Sequence, residues 1–233
     1  MIIPMVIMQL GIFQDYWGDF SDNAWTVHIH YWTGTLWYLF LIIQPWFATH
    51  GQLERHRTNG IIGMALAGGV CLTALSIMHR DIVTTQRSAE ASDSFGPFKP
   101  WFFFGVIVVE IVMMTAFAYA IVKSIIHRRE IENHAWWLVS TVFIIMMPAL
   151  GRGVQNLYIG IHSAEWPDID IMIPIYMTQA LIMTMILLAA WKYEKLKHPA
   201  TILAMLVSLF ILFLEPIGKS GAVQQFLKGV IKG

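Results

Sequence analysis

Six apolar runs dominate this 233-residue chain and restrict the folds it can adopt. They cover residues 25–47, 59–78, 101–126, 134–161, 171–191 and 199–214. A helix needs roughly 20 apolar residues to cross a bilayer core about 30 Å thick. Hydrophobic residues make up 57% of the chain and charged residues only 13%, which is unusual for a soluble domain. We therefore predict an all-α protein, an integral membrane helical bundle with about six transmembrane helices.

The chain outside these runs is short. Residues 1–23 start with an apolar stretch and continue into an acidic, aromatic one, which predicts an N-terminal segment at the membrane surface. Residues 24–216 make up the predicted transmembrane bundle. Residues 217–233 mix lysines with apolar side chains, which predicts an amphipathic C-terminal tail. Cys71 is the only cysteine, so no disulfide can form within the chain.

Basic residues predict the orientation of the bundle. Eight of the 15 Lys and Arg residues lie on the connections that follow the first, third and fifth runs, and cytoplasmic connections favour these residues. An even number of crossings then places both termini outside. The formal net charge is zero, so nothing in the composition favours nucleic acid as a partner, and the lipid bilayer is the partner we expect.

The nine histidines fall mostly at the ends of apolar runs, in two groups that a bundle would place at opposite faces. The outer group is His28, His30, His79 and His162, and the cytoplasmic group is His50, His56, His127, His134 and His198. His30 and His50 are 20 residues apart, which is roughly 30 Å along a helix. The two groups therefore cannot share one site.

Several short motifs resemble a known family. The elements are His30, Gly34 and Gln44, then His56-Arg57-Thr58-Asn59-Gly60, then His134-Ala135-Trp136-Trp137-Leu138, and finally Arg152. In order and position they resemble the bacterial multi-pass membrane family of domain of unknown function 2306, over roughly residues 25–158. Leu138 replaces the usual methionine, and His28, His79 and His162 lie outside the pattern. The resemblance implies a helical bundle in the bacterial cytoplasmic (inner) membrane, and it implies no particular activity.

Histidines at a common depth favour a redox function. A b-type haem in a membrane bundle takes an imidazole from each of two helices. We predict a haem-binding, cytochrome b-like electron-transport component, in which Arg152 anchors a haem propionate or a quinone carbonyl. The predicted haem ligands are His30, His56, His134 and His79. A quinone and a membrane redox protein are then the expected partners.

A single transition metal is the alternative ligand for the outer histidines. Three or four imidazoles suit zinc, copper or iron. The candidate metal ligands are His28, His30, His79 and His162. On a helix, His28 and His30 point about 200° apart, so only one of them can face a given partner.

Two charged residues inside apolar runs lead to further alternatives. A charge in the bilayer costs several kcal/mol unless it is paired or faces water, so Glu110 and Arg152 are expected to face the bundle interior. A proton path through Glu110 and Gln155 would make the chain a proton-coupled transporter. Without any cofactor, the chain would be a non-catalytic subunit that packs against a larger membrane complex. The sequence leaves open whether the protein is an enzyme.

Overall fold

The computed structural model describes residues 1–90 and 95–232, without the side chains of His79 and of residues 230–232. Within these ranges all regular structure is helical, which confirms the all-α prediction. The α-helices there are α1 Ile2–Gly11, α2 Trp25–Thr49, α3 Leu53–Glu90, α4 Pro100–Ile126, α5 Ile131–Ile144, α6 Met147–Ile161, α7 Met172–Lys192, α8 Pro199–Ile211, α9 Leu214–Lys219 and α10 Gly221–Lys232. Single turns form at Phe13–Trp17, Phe20–Asp22 and Ser163–Glu165.

In the described part of the chain, four segments are long and apolar enough to cross a membrane. They are Leu53–Glu90, Pro100–Ile126, Ile131–Ile161 and Met172–Lys192. Two of the six predicted crossings fall short of that standard. Helix α2 has 25 residues, but its histidines, tryptophans and tyrosines lower its hydropathy. Helix α8 has only 13 residues, about 20 Å, which is less than the thickness of the bilayer core.

Helix α3 is longer than the sequence pattern predicts. The apolar run ends at residue 78, whereas the helix continues to Glu90. In this polar extension, threonine hydroxyls bond to main-chain carbonyls one helical turn earlier. Thr84 donates to the Arg80 carbonyl at 2.9 Å and Thr85 to the Asp81 carbonyl at 2.7 Å. With 38 residues, α3 is about 57 Å long, so part of it must extend beyond the bilayer core.

The fourth predicted crossing is two helices with a break between them. Helix α5 ends at Ile144 and α6 begins at Met147. Pro148 lacks an N–H group, and its ring crowds the carbonyl of the residue four positions earlier, which is Ile144. A broken backbone is tolerated inside a membrane mainly where protein or a cavity satisfies its polar groups.

The N-terminal segment packs against α6 through glycines. A Cβ atom on Gly153 would lie 2.7 Å from the Gly11 Cα atom, a contact that only glycine allows. Beyond α1, Ile12 and Tyr16 are almost completely buried in the hydrophobic core. The placement of residues 1–23 at the membrane surface stays a prediction, and the close contact with α6 fixes their position on the bundle.

Candidate functional site

A polar cavity of about 90 Å³ lies inside the bundle, next to the break between α5 and α6. Helices α2, α3, α4 and α6 contribute polar groups, and the remaining lining is mostly apolar. The polar lining residues are His30, Tyr31, Tyr38, Thr73, Arg80, Glu110 and Arg152. A volume of this size holds a few water molecules or one small ligand. Both charged residues predicted to face the interior therefore line the same cavity.

Glu110 is the unsatisfied group of this polar cavity. Its Oε2 atom is buried and has no hydrogen-bond partner among the described residues. A buried polar atom without a partner costs roughly 1–3 kcal/mol, and more if it is charged. No ion pair within 4 Å joins Glu110 to Arg152 in the described part of the chain. The carboxyl group is therefore most stable here when it is uncharged or contacts cavity water.

Arg152 pairs with a residue that the sequence analysis did not associate with it. Its guanidinium lies 3.7 Å from a carboxylate oxygen of Asp15, in the turn that follows α1. The other Asp15 oxygen accepts a hydrogen bond of 2.6 Å from Asn156, one helical turn beyond Arg152. In the sequence, Asp15 lies in a stretch with Phe13, Tyr16 and Trp17, and this aromatic surrounding is the only local sign of its contact with the bundle. The N-terminal segment thus supplies the counter-charge of an arginine on α6.

His30 belongs to the same cavity and links two helices. Its Nδ1 atom lies 3.2 Å from the Thr73 hydroxyl, so α2 contacts α3 at this depth. Gln155, which the sequence placed on a proton path with Glu110, is half-buried and is not part of the cavity lining. Among the described residues, the cavity lining therefore provides one imidazole and one carboxyl group that can exchange protons, and two guanidinium groups that can hold an anion.

The other outer histidines have separate partners. The Nδ1 atom of His28 lies 3.0 Å from the Tyr16 hydroxyl, and burial raises the pKa of that hydroxyl. His162 stacks on Tyr158, with ring centroids 4.2 Å apart. The side chain of His79 lies outside the described residues. Among the residues that are described, no group of three or more His, Cys, Asp or Glu side chains could hold a metal ion.

A second cluster lies at the other end of α2. The rings of His56, at the start of α3, and His134, at the start of α5, have centroids 6.3 Å apart and planes at 90°. His134 Nδ1 lies 2.9 Å from both the carbonyl oxygen and the hydroxyl of Ser124, and these contacts orient the imidazole ring. His56 Nδ1 and Gln44 Oε1 are buried without a partner among the described groups. This pair brings together two of the four residues predicted as haem ligands.

Comparison with known protein families, curated proteins and solved structures finds no match to this chain. The resemblance to the family of domain of unknown function 2306 therefore stays a prediction.

Proposed function

We propose that this protein is a proton-coupled membrane transporter in which Glu110 carries the proton. The observation that carries the proposal is the buried Glu110 Oε2 atom, which lacks a hydrogen-bond partner in a cavity shared with Arg152 and His30. An uncharged carboxyl group suits this position, and a carboxylate needs a cation or water. A group whose charge depends so strongly on its surroundings is suited to binding and releasing a proton.

In this proposal, the carboxylate that attracts Arg152 depends on whether Glu110 holds its proton. While Glu110 is protonated, the nearest carboxylate to Arg152 is Asp15, at 3.7 Å. When Glu110 loses its proton, the new negative charge lies in the same cavity as the guanidinium and competes with Asp15 for it. Because Asp15 is also held by Asn156, the competition links the charge of Glu110 to the position of the N-terminal segment.

The topology proposed with this function has six crossings. Four segments are long and apolar enough to cross by themselves. Helix α2 provides a fifth crossing, and α8 together with α9 provides the sixth. Residues 199–219 together reach about 30 Å, which matches the bilayer core. Both termini would lie outside a bacterial inner membrane, so α1 and Asp15 would approach the cavity from the external side.

The test is proton flux into liposomes that contain the purified protein. The liposomes contain a pH-sensitive dye, and a membrane potential that is negative inside is imposed. The lumen should then acidify faster in liposomes with wild-type protein than in liposomes without protein. Glu110→Gln should reduce that rate at least tenfold, because the amide cannot carry a proton. Glu54→Gln, an equivalent change at an exposed position on α3, should keep the wild-type rate. Equal rates in the two variants would contradict the proposal.

A redox role is the second candidate, and the His56–His134 pair favours it. The two imidazoles come from separate helices and lie close together, with ring centroids 6.3 Å apart, which is the kind of donor pair that would hold a b-type haem. The donor set of two imidazoles from separate helices, one oriented by the Ser124 carbonyl, fits haem b. When bound, haem would supply one-electron transfer, with a quinone or a membrane redox protein as the electron partner.

The redox candidate predicts an absorption spectrum. Protein purified from cells supplied with iron should show a Soret band that shifts on reduction. The band should be lost in His134→Ala and retained in His127→Ala, a histidine with no place in the pair. Protein without absorbance above the aromatic region would exclude this candidate and leave the proton-transport proposal unaffected.

A further inference from the structure

A second pocket, of about 720 Å³, opens where α4 ends and α5 begins. We call it the basic pocket. Its basic lining residues, with histidines included, are Lys123, His127, Arg129, Lys195 and His198. Because α4 and the α5–α6 segment are both candidate crossings, the connection between them has to lie at a membrane surface. The basic pocket therefore faces the lipid headgroups.

Two of the cations in the basic pocket are available for a ligand. Lys195 already pairs with Glu132 at 2.7 Å. By contrast, no carboxylate lies within 4 Å of Lys123 or Arg129 in the part of the chain that the structure describes. The ammonium of Lys123 lies 5.6 Å from the centre of the Tyr119 ring, which leaves its other side open. These two side chains can each approach an anion without breaking an ion pair.

The two carboxylates of the basic pocket are both engaged. Glu132 pairs with Lys195, and Glu130 accepts hydrogen bonds from Asn133 and His127, which lower the pKa of its carboxyl group. With its histidines neutral, the basic pocket has three cations against two carboxylates. Its surplus is positive, which favours a singly charged anion.

An exposed apolar surface flanks Lys123 on α4. Tyr119, Val122 and Ile126 are 48%, 53% and 61% exposed, and their spacing places them on one face of the helix. Ile131, at the start of α5, is 79% exposed next to the basic pocket. A ligand with both an anionic group and apolar chains would match the pocket and this surface together.

We propose that the basic pocket binds the headgroup phosphate of an anionic membrane phospholipid, with its acyl chains along the exposed face of α4. Lys123 and Arg129 contact the phosphate, and Arg129 can donate two parallel hydrogen bonds to it. Basic pockets beside membrane helices are typical sites for anionic headgroups. The continuous apolar surface is what favours a phospholipid over free phosphate. The proposal is independent of proton transport through Glu110.

The test is lipid binding to delipidated protein in a neutral detergent, measured by native mass spectrometry. Wild-type protein should bind dioleoyl phosphatidylglycerol more tightly than dioleoyl phosphatidylcholine. Each basic residue near a headgroup contributes about 1 kcal/mol, or roughly a fivefold change in affinity. Lys123→Gln and Arg129→Gln should therefore each weaken phosphatidylglycerol binding about fivefold, and the double variant more than tenfold.

Arg128→Gln is the matched control, because Arg128 donates to the Ile125 carbonyl and does not line the basic pocket. It should bind like wild type. Equal loss in the Arg128 and Arg129 variants would overturn the proposal, as would equal affinity of wild-type protein for the two lipids. Binding of glycerol 3-phosphate distinguishes a site for a phospholipid headgroup from a site for a soluble phosphate. If it binds as tightly as the lipid, the site recognises soluble phosphate and the phospholipid assignment is wrong.

Discussion

Arg152→Leu is expected to lower the free energy of unfolding by about 2–3 kcal/mol and to abolish proton flux. The change leaves Asp15 without its cation and leaves only Arg80 as a guanidinium lining the polar cavity. Removing one partner of a buried ion pair typically costs 3–5 kcal/mol. The loss expected here, about 2–3 kcal/mol, is smaller than that range because the pair is only partly buried, with the Arg152 side chain 37% exposed.

Thermal or denaturant unfolding in detergent measures this effect, with a double-mutant cycle to identify its source. Asp15→Asn combined with Arg152→Leu should recover part of the lost stability, because no uncompensated carboxylate then remains on the turn after α1. Arg55→Leu serves as the control, since Arg55 is exposed at the start of α3 and, among the described residues, its side chain bonds only to Gln52. An Arg152→Leu protein as stable as the Arg55 variant would show that the Asp15 pair contributes nothing.

Gly153→Val is expected to separate α1 from α6. The new Cβ atom would lie 2.7 Å from the Gly11 Cα atom, and a main-chain atom cannot move aside as a flexible side chain can. Overpacking of this kind costs typically 1–3 kcal/mol. Because Asp15 follows α1 by only a few residues, the shift should also weaken its contact with Arg152. Both the melting temperature and the proton flux should therefore fall.

Gly160→Val provides a matched control on the same helix. A Cβ atom on Gly160 meets nothing within 4 Å, so that variant carries the same change in helix propensity without the clash. The difference between the two melting temperatures measures the α1–α6 contact alone. If the two variants have the same melting temperature, α1 is not held against α6 through these glycines.

The sequence predicted the helices more completely than their ends or their packing. Runs 101–126 and 171–191 match α4 and α7 to within one residue, because long apolar stretches leave one stable structure in a bilayer. The pattern missed the last part of α3, where Arg80 and Asp81 end the apolar run. An apolar run predicts only the part of a helix that contacts lipid. Where α3 continues into water its residues are polar, so hydropathy does not predict that part.

The polar cavity could be predicted only in part. Glu110 and Arg152 stood out because isolated charges in apolar runs are expensive, and both line the cavity. Asp15 did not stand out, since its contact with Arg152 spans 137 residues and depends on Gly11 fitting against Gly153. A contact set by the rotation and close approach of two helices leaves no periodic signal in one sequence.

The most direct test of the account is the charge of Glu110 itself. Infrared difference spectra of the membrane-reconstituted protein, recorded as the pH is raised, report the carbonyl stretch of a protonated carboxylic acid as it disappears. We expect wild-type protein to show this band and Glu110→Gln to lack it, while Glu54→Gln retains it. If the band is unchanged in Glu110→Gln, Glu110 is not the proton-binding group and the proposed mechanism is wrong.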